Sequence, residues 1–157
     1  MIGWLLDTNV IAELVSRRGD PRVLAWAASQ RERTFFLSVL TLGEYDKGIH
    51  NLAPDDSART RHSAALAALE QRFADRVLSV NDAVVRRWGR ISGEIKRMSG
   101  HSPSVVDTLL AATAIEHRLY LVTRNVRHVQ GTGAAIFNPW TDDPIDHPLE
   151  LPSSYFP

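Results

Sequence analysis

The stretch Ile2-Gly3-Trp4-Leu5-Leu6-Asp7-Thr8-Asn9-Val10 decides how the rest of the chain is read. A short apolar run leads straight into a carboxylate, a hydroxyl and an amide, and a helical pattern then starts at Val10-Ile11-Ala12-Glu13-Leu14. Such a run reads as a strand buried on both faces, as in the middle of a parallel sheet. Asp7 then stands at the carboxyl end of that strand, the edge at which open α/β sheets bind ligands. The question is which other polar groups come to meet it.

Outward from this turn, the helical pattern runs to about Val15 and is broken by Arg17-Arg18-Gly19-Asp20-Pro21. Pro21 suits the first position of a second short helix, with Val23, Leu24, Trp26 and Ala27 on its apolar face. Residues 34–38 read as strand two and run into Thr41-Leu42-Gly43-Glu44-Tyr45, which opens a third helix ending near His50. A longer helix starts at Pro54-Asp55-Asp56 and carries Ala65, Leu66, Leu69 and Phe73 at helical spacing. Residues 76–80 read as strand three, and Asn81-Asp82 caps a helix bearing Val84, Val85, Trp88 and Ile91. A loop at 99–103 leads to a helix over 105–117, then strand four at 119–123 and a short strand five at 134–137. Strands alternating with helices argue for an α/β fold whose parallel sheet is covered on both faces. Residues 138–157 hold five of the eight prolines and read as an extended tail.

Composition narrows the function classes without choosing among them. At 157 residues, 44% apolar and 23% charged, the chain fits one globular domain with a real core. Lys+Arg and Asp+Glu are 18 each, so any nucleic-acid site has to come from local charge rather than net charge. The absence of cysteine excludes disulfides, thiolate metal sites and a cysteine nucleophile. No apolar run approaches the roughly 18 residues that span a bilayer, and the N-terminus carries no signal-peptide pattern. A cytoplasmic protein is the expectation.

Three acids stand at expected strand-to-helix or loop-to-helix turns: Asp7, Glu44 and Asp107. Glu44 and Asp107 are expected near helix N-termini, where the helix dipole favours their ionised forms. If all three converge, their repulsion calls for a cation, and an all-oxygen set favours a hard ion, Mg²⁺ or Mn²⁺. An ion of that kind suits phosphodiester hydrolysis. Each acid also has a plainer reading. Thr41-x-x-Glu44 and Ser104-x-x-Asp107 have the spacing of capping boxes, and Asp7 can cap the first helix. Both readings stay open at this level, since a residue at a helix start can also face a metal.

The ordered set of motifs adds a resemblance. Leu6-Asp7-Thr8-Asn9-Val10, Ser38-x-x-Thr41-x-x-Glu44, Asp107-Thr108-Leu109-Leu110-Ala111-Ala112-Thr113-Ala114, Leu121-Val122-Thr123-Arg124-Asn125 and Phe137-Asn138-Pro139-Trp140 together resemble the PIN-domain nucleases. The likeness is nearest to the VapC and FitB-like toxins of bacterial toxin–antitoxin systems. It spans about residues 1–140 as one nuclease domain and leaves 141–157 as a proline-rich C-terminal tail. The resemblance implies a three-layer α/β/α fold with about five parallel strands in the order 3-2-1-4-5. It implies an Mg²⁺- or Mn²⁺-dependent ribonuclease with Asp7, Glu44 and Asp107 as metal ligands. Asn125 joins them in catalysis, and Asn9 and Thr123 belong to the surrounding polar network. The implied partners are an RNA substrate, a cognate antitoxin and a second copy of the chain in a homodimer.

One departure stands out. The resemblance places a fourth acid after strand four, at Asn125 or three residues later, where this chain has His128. An amide oxygen adds no charge, and a neutral imidazole suits Mn²⁺ better than Mg²⁺. The alternative function is therefore a catalytically impaired PIN-like module that binds RNA or an antitoxin. Arg124, Arg127 and His128 are expected to contact RNA phosphate, whereas Arg86 and Arg87 read as solvated helix faces. Trp4, Trp26 and Trp88 are expected in the core, and Trp140 against the tail.

Overall fold

The computed structural model describes residues 1–150. Its centre is strand β1 (Gly3–Leu6), buried along its whole length. Four residues alternate between the two faces of the sheet, so both faces must be covered. Trp4 and Leu6 enter one core with Val10, Ile11, Val23, Trp26, Leu69 and Phe73, while Leu5 enters the other with Leu110, Ala111 and Ala114.

Five parallel strands lie in the order β3-β2-β1-β4-β5, as the resemblance implied. β2 (Phe35–Ser38) and β4 (Leu119–Val122) flank β1, with β3 (Val77–Leu78) and β5 (Ile136–Phe137) at the edges. The β1/β4 register pairs Leu6 with Val122, so Asp7 and Thr123 follow their strands side by side. One face is covered by α1 (Thr8–Val15), α2 (Pro21–Ser29) and α4 (Ser57–Arg72). The other is covered by α6 (Val105–Glu116), and α5 (Asp82–Ser99) packs on α6 through Val84, Ile91 and Ala112. α3 (Val39–His50) follows β2 and sends Leu42 and Tyr45 to the first core. Trp4 stacks on Tyr120 at 5.0 Å and meets Trp26 edge-on at 5.4 Å, which accounts for both tryptophans as core.

Several boundaries differ from the sequence reading. α1 begins at Thr8, directly after Asp7, which leaves no spacer between strand and helix. β3 is two residues long rather than five; just before it, the Arg76 carbonyl still accepts from the Leu37 amide of β2, and its guanidinium donates to the carbonyls of Glu32, Phe35 and Arg72. A four-residue helix α7 (Val126–Val129), absent from the sequence reading, follows β4 and is pinned by buried Val129. Its brevity hides it from any periodicity argument.

The described part of the tail, residues 138–150, returns to the domain. A 3₁₀ turn at Pro144–Asp146 carries His147 against the rings of Tyr120 and Phe137, at 5.3 and 4.9 Å. Leu149 and Trp140 pack on the first core. The Glu150 amide then donates to the Met1 carbonyl at 2.7 Å. The rest of the expected tail, 151–157, lies outside the described residues.

Candidate metal centre

Asp7 is the N-cap of α1, and its Oδ1 accepts from the Thr8 amide at 2.7 Å. Its other oxygen, Oδ2, accepts from Asn9 Nδ2 at 2.7 Å and from the Thr123 hydroxyl at 2.6 Å. Capping therefore uses one oxygen and leaves the other in a polar network at the strand ends. Thr123, itself buried, also accepts from Asn9 Nδ2 at 3.2 Å and from the Asn125 amide at 3.0 Å. Asn9 completes the ring by accepting from the Arg124 amide at 3.1 Å. Two loops more than a hundred residues apart are thus tied through one carboxylate.

Burial pushes the Asp7 carboxyl above its ordinary value of 3.8. Hydrogen bonds from Thr123, Thr8 and Asn9 oppose that rise, and the nearby charge of Asp107 adds to it. An acid held in this way is costly to ionise alone, and a neighbouring cation would offset the cost.

The same edge of the sheet forms an open groove of about 550 Å³, lined by Asp7, Thr8, Asn9, Glu44, Asp107 and Asn125 among others. All three acids expected from the sequence therefore face one space. They reach it differently from the sequence reading. Glu44 does not sit at a helix start: the α3 cap is Ser38, whose Oγ accepts from the Leu40 amide at 3.2 Å. That places Glu44 in the second turn, beyond the first-turn reach of the helix dipole. Thr41, expected to cap with Glu44, is instead buried, because a helix starting three residues earlier turns it inward. The Glu44 carboxylate accepts from the Thr8 hydroxyl.

Asp107 behaves as the sequence reading expected. It lies in the first turn of α6, its amide donating to the Ser104 cap at 3.4 Å. Its Oδ2 is 3.3 Å from Nδ1 of His128, on α7. Asn125 lines the groove from the same loop.

The basic residues separate clearly. Arg86 pairs with Asp82 along α5, and Arg87 ties α5 to Glu116 of α6 at 2.5 Å. Arg124 lies over the Trp140 ring at 5.4 Å, beside the network that holds Asp7. Arg127 is exposed on α7. The sequence reading missed Lys47 and Asn51, which also line the groove. Their spacing from Glu44, three and seven residues along one helix, was the available signal.

The chemistry of this donor set fits a divalent cation. The groove offers carboxylate and amide oxygens, in a chain with no thiolate. Among the described residues no three acidic or histidine side chains are gathered closely enough to hold an ion by themselves. Small hard cations are commonly held by one or two carboxylates with water completing the shell, so an open arrangement suits them.

Fold and groove together define a class, and comparison with known proteins agrees with it. The chain belongs to the PIN domain family, whose model matches residues 4–131. Within that family it is similar to toxin FitB of Neisseria gonorrhoeae, at 31% identity over 88% of this chain and 99% of the relative. It is also similar to VapC ribonuclease Y4jK of Sinorhizobium fredii, at 33% identity over 87% of this chain and 96% of the relative. Among solved structures, FitAcB from Neisseria gonorrhoeae superposes with a TM-score of 0.77 at 29% identity, covering 88% of this chain and 99% of that chain. Among the described residues no helix is long and apolar enough to cross a membrane.

Proposed function

We propose that the chain is the ribonuclease toxin of a toxin–antitoxin pair, acting in the cytoplasm on RNA phosphodiester bonds with an Mg²⁺ or Mn²⁺ ion. The observation that carries this reading is the half-buried Asp7 carboxylate, fixed by Thr123, Asn9 and the Thr8 amide at the edge of a groove that Glu44 and Asp107 also line. Similarity to proteins named as a VapC ribonuclease and a FitB toxin supports the same reading.

Asp7, Asp107 and Glu44 would hold the cation. When bound, it supplies Lewis acidity and positive charge for hydrolysis of a phosphodiester. The chain's own residues do the rest. Thr123 and Asn9 keep Asp7 in place, Asn125 adds a neutral oxygen to the groove wall, and Arg124, Arg127 and Lys47 offer positive charge to the RNA backbone. A cognate antitoxin and a second copy of the chain are the expected partners. Similar solved structures include FitAcB and VapBC-1 of nontypeable Haemophilus influenzae.

The test is RNA cleavage by the purified chain with Mn²⁺ or Mg²⁺, beside growth arrest on expression. Asp7→Asn should abolish both while far-UV circular dichroism stays native. Undiminished cleavage by that variant overturns the assignment. RNA or antitoxin binding without cation-stimulated cleavage would instead make the chain a binding module.

A further inference from the structure

His128 is the groove neighbour whose chemistry differs from the rest. Every other polar group placed around Asp7 and Asp107 offers oxygen or a positive charge, whereas the imidazole offers a nitrogen lone pair. Its backbone is anchored on both sides. α7 starts one residue after Asn125, whose amide is held by the same Thr123 hydroxyl that binds Asp7. The His128 amide donates to the Asn125 carbonyl at 3.0 Å, and Val129 beside it is buried in the core. The His128 side chain remains 60% exposed while that of Asp107 is 27% exposed, so the ring is open to an arriving ligand.

The geometry is that of two donors converging. Around an ion with bonds of about 2.1 Å, ligand atoms at right angles stand about 3 Å apart. Nδ1 of His128 and Oδ2 of Asp107 are 3.3 Å apart, close to that span. Coordination through Nδ1 leaves the ring proton on Nε2, which can face water.

We propose that His128 supplies a nitrogen donor beside Asp107, so that this groove prefers a first-row transition ion such as Mn²⁺ over Mg²⁺. The inference rests on the cation-site reading above and adds which ion the site selects. Nitrogen donors raise affinity for first-row ions much more than for Mg²⁺, which keeps to oxygen. His128 thus acts as a specificity residue for the cation.

The experiment is Mn²⁺ binding to the full chain, followed by electron paramagnetic resonance with Mg²⁺ competition and without RNA. Pulsed measurements should show imidazole ¹⁴N coupled to the bound Mn²⁺, changed by ¹⁵N-histidine labelling and lost in His128→Gln. That variant should weaken Mn²⁺ roughly tenfold, in the range seen for lost metal-site partners, with Mg²⁺ altered less than about twofold. Bound Mn²⁺ that depends on Asp7 yet shows no imidazole coupling overturns the proposal and leaves the nuclease reading standing. Equal weakening of both ions in His128→Gln also overturns it. Mn²⁺ binding indifferent to Asp7→Asn overturns both readings.

Discussion

The Thr123 hydroxyl donates to Asp7 Oδ2 at 2.6 Å across 116 residues of sequence. The Thr123 hydroxyl oxygen itself accepts from Asn9 Nδ2 and from the Asn125 amide, so one buried side chain serves three partners from both loops. Thr123→Val keeps the shape and removes all three contacts. It should cost about 1–3 kcal/mol, the usual range when buried partners are left unsatisfied, and should weaken Mn²⁺ binding. Thr123→Ser should recover most of both. Urea unfolding and metal titration check the pair of variants.

Asp7 gives a signed pH dependence. Burial raises its carboxyl above 3.8, and the hydrogen bonds from Thr123, Thr8 and Asn9 only partly offset this. A raised value means the folded state holds the proton more tightly than the unfolded state does. In the metal-free chain this contribution to stability is fully present below 3.8 and is lost as pH rises through the folded value. Bound cation should reverse the trend, because it favours the ionised carboxylate. Melting in EDTA and in Mn²⁺ across that window should therefore diverge as pH rises. Asp7→Asn should remove most of the divergence, and parallel curves for the wild-type chain would refute the account.

Gly3 is the tight point of the central strand. A Cβ there would stand 2.5 Å from the Thr34 carbonyl oxygen and 3.0 Å from the Phe36 ring. Backbone cannot yield as a flexible side chain does, so Gly3→Ala should force β1 away from β2. The expected loss is about 1–3 kcal/mol, read from denaturant unfolding, and it should exceed that of Gly43→Ala, where a Cβ meets nothing.

The end of the chain makes a further expectation. His147 packs against Tyr120 and Phe137, Leu149 joins the first core, and Glu150 binds the Met1 carbonyl. A chain ending at residue 140 should lose about 2–4 kcal/mol, comparable to deleting one large core side chain. Unchanged unfolding would mean that 1–140 is a self-sufficient domain.

Apolar runs and their breaks made most of the architecture legible. The run at 3–6 and the strands at 35–38 and 119–122 stand out as short apolar stretches bounded by turn signals, and the helices by their apolar spacing. Short elements such as α7 and the two-residue β3 carry too few residues for a period to show. The α3 start was misplaced because Thr41 and Ser38 both have capping chemistry, and only packing turned Thr41 inward.

By itself, the sequence determined which apolar runs are buried and that acids follow the ends of two strands or open a helix. Burial pattern and turn chemistry are local, so they can be read along the chain. Only the tertiary structure decided which polar groups meet at Asp7. The Leu6–Val122 register aligns the ends of β1 and β4, and that alignment brings Thr123 onto Asp7, while the packing of α7 beside α6 brings His128 to Asp107. It is a product of long-range strand pairing, which no local pattern encodes.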